Sequence, residues 1–173
     1  MTIGKTKENF KMDAYEIVNA LNQTYNICDT LDNSGVGAWN LTNGNTKTRE
    51  ALKLELTQFL LYIGNANSSF SEGEQALINL VYGDNWSIFQ LKQACATIDE
   101  PSPSSSLTLA AFLYGQKAIN SQNGSRETSV IDLITNLYDA MGQLMIEFDE
   151  NAVSKARFNK YMSGMKSYIL KNL

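Results

Sequence analysis

With 173 residues, 43% of them apolar and 18% charged, the chain can bury one sizeable core, which excludes wholesale disorder. A net charge of −4 excludes nucleic acid as an electrostatic partner, since phosphate binding calls for a surplus of cations. The absence of histidine removes the usual neutral-pH general base and the commonest metal ligand, so Ser-His-Asp and Cys-His catalysis within one chain are excluded.

The opening MTIGKTKENF has no apolar h-region and does not read as a signal peptide; residues 1–8 are expected to fray from a single domain covering 1–173. A first helix is expected over Glu8–Leu31. Phe10, Ala14, Ile17, Leu21, Thr24, Cys28 and Leu31 form its stripe, widened by Val18 and Tyr25. Residues 33–46 are rich in Gly and Asn and read as a loop, with Trp39 expected to pin it to the body. Lys47–Asn65 reads as a second helix whose C-terminal half is apolar nearly all round, which places it at the centre of a domain.

Ser71 and Glu74 form an S-x-x-E capping box that opens a third helix, ending near Gly83. Asp84 is expected to cap a fourth helix running through Ile98, with Trp86, Phe89, Leu91 and Ala94 among its apolar residues. Residues 99–106 form a polar linker broken by Pro101 and Pro103. A fifth helix is expected over Leu107–Asn120. A sixth over Glu127–Phe148 carries Val130, Ile134, Leu137, Met141, Leu144 and Phe148, spaced four and three apart. The last, Ala152–Asn172, places Phe158, Met162, Met165 and Ile169 on one face, with Tyr161 and Tyr168 beside it. Tyr161, Met162, Met165 and Tyr168 read first as core; the second reading is a groove for a partner, since Met-rich faces re-pack readily. No segment alternates with period two, so the fold class is an all-α bundle of about seven helices.

The apolar runs Phe59–Ile63 and Leu107–Tyr114 are too short to span a bilayer, and a cytoplasmic location is expected. Cys28 and Cys95 are expected to be buried, inert thiols of a reducing compartment. No phosphate-cradling glycine loop and no zinc-type cysteine spacing occurs. Charge is uneven. Residues 54–100 hold Glu55, Glu72, Glu74, Asp84, Asp99 and Glu100 against Lys92 alone, while the tail holds Lys155, Arg157, Lys160, Lys166 and Lys171 without an acid. The tail suits a helix C-terminus, and alternatively offers a docking surface for an acidic partner or a membrane.

The run Asn65-Ala66-Asn67-Ser68-Ser69-Phe70-Ser71-Glu72-Gly73-Glu74 resembles the loop and cap of the tellurite-resistance TerB-like family. That pattern is an apolar helix ending in small residues, then Asp-Gly, a variable residue, an apolar residue, Ser, and Glu three positions on. Phe70, Ser71 and Glu74 match it. Asn67 stands where the family has Asp, and Ser68 where it has Gly. The resemblance implies a compact helical domain with two related halves, an acidic cluster for a divalent cation, and work in stress or surveillance assemblies rather than catalysis. Leu54–Leu80 and Leu137–Met165 would be the two related hairpins. Asn67 brings no charge, which weakens a cation site of this type. The second hairpin supplies Asp149 and Glu150, so Glu74, Asp149 and Glu150 are the candidate metal ligands. Their simpler reading is solvated acids at helix ends.

No catalytic residue and no resident cofactor is expected. The leading expectation is a non-catalytic protein-interaction or scaffold module of a bacterial stress or defence system, with a protein partner. The alternatives are a divalent-metal-binding stress sensor and an immunity or chaperone-type protein that caps a toxin or secreted partner through the acidic middle.

Overall fold

Among the described residues the helical periodicity becomes eight α-helices and one short 3-10 turn, with no strand. The structure is a computed structural model and describes residues 13–66 and 69–173. The helices are α1 (Ala14–Asn33), α2 (Ala38–Leu41), α3 (Thr48–Gly64), α4 (Glu72–Tyr82), α5 (Ile88–Cys95), α6 (Leu107–Asn123), α7 (Ser129–Phe148) and α8 (Ala152–Asn172). The expected onset of the first helix at Glu8, with Phe10, lies outside the described residues. Asp13 and Glu16 close a capping box that opens α1, with the Glu16 N–H donating to Asp13 Oδ1 at 2.8 Å.

α3 is the central helix, packing against α1, α4, α6, α7 and α8. Leu52, Leu56, Phe59, Leu60 and Ile63 are all 0% exposed. Its apolar surface has one gap, since Leu54 is 53% exposed. Around Phe59 the rings of Tyr138 and Tyr161 stand 4.9 and 4.8 Å away, centroid to centroid, and that of Phe158 stands 6.5 Å away. Gly142 makes this cluster possible: a Cβ there would collide with the Phe158 ring.

Local sequence explains only some of the helix ends. Ser71 and Glu74 form the expected box, and Gly83 ends α4 in the left-handed conformation that glycine tolerates (φ 79°). Four other helix starts, those of α2, α3, α6 and α7, take hydrogen-bond acceptors from a different helix. Lys47 and Gly37, the cap residues of α3 and α2, make no side-chain cap bond. The Asp32 carboxylate at the end of α1 instead accepts from the Thr48 N–H at 2.9 Å, the Thr48 hydroxyl at 2.7 Å and the Trp39 N–H at 3.2 Å. Glu55 of α3 accepts from the N–H groups of Leu107 (2.9 Å) and Thr108 (3.1 Å) at the start of α6, and from the Ser106 hydroxyl (2.6 Å). Gln116 of α6, fully buried, accepts from the Val130 N–H at 2.6 Å and the Ile131 N–H at 3.2 Å, satisfying the start of α7. At the other end of α3, the carbonyls of Tyr62 and Ile63 accept from Arg157 (2.7 Å) and the Ser154 hydroxyl (2.9 Å) of α8.

Several expectations are corrected. Within the 33–46 loop a short helix, α2, buries Ala38, whereas Trp39 is 41% exposed. Trp39 lies against Gly44 and beneath the Lys47 ammonium at 5.6 Å. Asp84 does not cap the fourth long helix. Ser87 does, in a box with Gln90, because Trp86 is held back by Asn79 and Gln75, whose side-chain amides both donate to its carbonyl. That helix also stops at Cys95, short of Ile98, and Phe89 on it is 67% exposed. Val18 leaves the α1 stripe at 37% exposure, and Ala20 takes the buried position.

Candidate functional site

Of the acids expected to bind metal, Glu74 and Asp149 come near each other at the hairpin ends. Glu74 is 1% exposed, and its Oε1 accepts from the Ser71 N–H at 2.8 Å. Burial pushes its carboxyl above the ordinary value, the Ser71 hydrogen bonds oppose the rise, and the charge of Asp149 adds to it. The end of α7 thus faces the start of α4, where Phe148 covers Gly73 and leaves no room for a Cβ. Glu150 is exposed. Asn67 and Ser68 lie outside the described residues. Among the described residues no group of three Asp, Glu, Cys or His side chains is gathered as a metal ion would need. Glu74 has a structural use in its cap, and a hard cation wants several anionic oxygens.

The acidic middle and the basic tail partly consume each other. Glu55 and Glu74 cap helices, and Glu100 takes Lys160 at 2.9 Å and the Tyr62 hydroxyl at 3.1 Å. Arg157 lies 4.6 Å over the Tyr62 ring while donating to the Tyr62 carbonyl. Three of the six acids are therefore engaged within the fold. Both cysteines are free and buried, and burial pushes the Cys28 thiol up to about 12 and the Cys95 thiol up to about 11. Neither is a nucleophile near neutral pH.

The four residues weighed for a partner groove divide. Tyr161 belongs to the core, stacked on Tyr138 at 5.7 Å, and Tyr168 lies by a small hollow with Pro103 and Gly164. Met162 and Met165 line a groove of about 520 Å³ between α7 and α8. The two helices form a hairpin closed by residues 149–151, and the groove lies at its opposite end, between the first half of α7 and the second half of α8. Ile131, Met165 and Ile169 are buried at 3%, 1% and 8% exposure and make its floor. Leu170 and Leu173 stand on its edge, 76% and 46% exposed. Asp132 and Asp139 line the α7 side and Lys166 the α8 side. Leu170 and Leu173 also border a second hollow of about 620 Å³ with Lys117 and Arg126. A third cleft, of about 370 Å³ by Glu55, Gln58 and Tyr161, is walled mainly by polar loop residues.

Sequence reasoning missed Leu170, Leu173, Asp132 and Asp139. The signal was present in part: on α8, Leu170 follows Ile169 and lies off the buried stripe, so a large apolar residue had to face outward.

No family model, curated protein or solved structure matches this chain. Among the described residues no helix is long and apolar enough to cross a membrane.

Proposed function

We propose that this chain is a non-catalytic protein-interaction module that receives a partner along the α7–α8 groove. The TerB-like resemblance of Phe70, Ser71 and Glu74 points to a bacterial stress or defence assembly as its setting. The observation that carries the reading is the groove itself. Buried methionine and isoleucine side chains line its floor, and two leucines stand exposed at its edge, where a monomer in water gains nothing from them. The lack of histidine and the raised thiols support a role without catalysis. The groove, rather than the dispersed acids of residues 54–100, is the surface offered to a toxin or secreted partner as well.

The test compares the tagged wild-type chain with Leu170→Glu and Leu173→Glu, each purified from the native cell. Both side chains are exposed, so both variants should melt close to wild type. A specific co-purifying protein should fall about tenfold or more with the variants, as expected when an anchor loses about 1.4 kcal/mol or more. Equal recovery with all three proteins would contradict the reading.

A further inference from the structure

Resting on the protein-interaction reading, we infer that the occupant of the α7–α8 groove is an amphipathic helix carrying two Lys or Arg residues spaced two turns apart along the edge that meets α7. The α8 side of the groove is apolar apart from Lys166, whereas the α7 side presents Asp132 and Asp139. Seven positions separate these aspartates, so they lie on one stripe of α7, about 10 Å apart along the helix axis.

Among the described residues no cation is paired with either aspartate. The Asp132 carboxylate takes the Thr128 hydroxyl at 2.9 Å, and Asp139 Oδ2 takes the Gln143 amide at 2.9 Å. The ion pairs seen among the described residues, Arg49–Asp29 and Lys160–Glu100, involve neither. Asp139 is half-buried, and its carboxyl is pushed up by that burial with only the Gln143 hydrogen bond opposing. A half-buried carboxylate without a cation is unfavourable in the free protein and becomes favourable when a partner's cation arrives with its hydrogen bonds. The apolar floor selects the stripe of the incoming helix, and the aspartate pair selects its orientation and charge. An acidic segment, or the anionic face of a bilayer, would be repelled by the same pair.

The probes are three synthetic amphipathic helical peptides that share a leucine stripe and differ only at two edge positions seven apart, carrying Lys, Gln or Glu. Binding is measured by fluorescence anisotropy at physiological salt, and the site is located from the methyl NMR signals of Met162 and Met165. The Lys peptide should bind about tenfold or more tightly than the Gln peptide, and the Glu peptide most weakly. Asp132→Asn with Asp139→Asn, which retains an oxygen for Gln143, should erase the ranking, and Asp132→Lys with Asp139→Lys should invert it. Equal binding of the three peptides with shifted Met162 and Met165 signals would overturn the charge rule and leave groove docking intact. No shift of those methyls with any peptide would overturn the helical occupant, while partner capture by the native chain tests the broader reading separately. A wild-type dimer that Leu170→Glu dissolves would make a second copy the occupant and would also overturn the proposal.

Discussion

Phe59→Ala is expected to lower the unfolding free energy by about 3–5 kcal/mol, the range seen when a buried aromatic is truncated to alanine. Phe59 is 0% exposed on the central helix, and three rings from α7 and α8 close around it. Tyr138 and Tyr161 are stacked with only 7° between their planes, and each leans on Phe59 at a tilt near 50°. Removing Phe59 leaves a void that stacked rings cannot fill without breaking their own contact. Tyr138 raises the stakes, since it is 1% exposed and its ring is packed between those of Phe59 and Tyr161. Urea unfolding of the variant should show the loss as a shifted midpoint with an unchanged slope. A loss under about 1 kcal/mol would mean that the ring cluster is not the packing centre of the bundle.

Glu55→Ala should cost about 2–3 kcal/mol, because a single half-buried carboxylate satisfies two N–H groups and a hydroxyl at the start of α6. Negative charge at a helix N-terminus adds to the hydrogen bonds. Glu55→Gln separates the two contributions. The amide keeps one accepting oxygen and loses the charge, so about half the loss is expected. Hydrogen exchange gives a local check: Leu107 and Thr108 amides should lose protection in the alanine variant before the rest of α6 does. If alanine and glutamine cost the same, and less than about 0.5 kcal/mol, α6 does not depend on the carboxylate from α3.

Which helix ends were legible in the sequence follows from the reach of their caps. Ser71 and Glu74 sit three residues apart, and their box was read directly. Glu55 lies 51 to 53 residues from the groups it caps, and Asp32 lies 16 residues from Thr48, so no local pattern announces either. The same limit misplaced the start of α5. Asp84 is a good cap by residue type, yet Asn79 and Gln75 hold Trp86 in place from the preceding helix, and the chain turns again before Ser87. Periodicity located the long helices because burial on one face leaves a mark every three or four residues. It found the methionine face of α8, since Met162 and Met165 lie on one stripe. It did not reveal which part of that face stays uncovered, because that depends on how α1 and α3 pack on α7 and how α3 packs on α8. The hairpin-end acids illustrate the opposite case: the sequence brought Glu74 and Asp149 to the same place, and burial and capping then gave Glu74 a structural task.

The measurement that tests the groove most directly is site-specific photocrosslinking in the native cell. A benzophenone amino acid replaces Leu170 in one strain and Phe89 in another; both side chains are large, apolar and exposed, at 76% and 67%, and only Leu170 lines the groove. A discrete crosslinked protein species from position 170 and none from position 89 is the predicted result. Equal labelling from both positions, or a discrete species from position 89 alone, would contradict the assignment of the α7–α8 groove as the partner site.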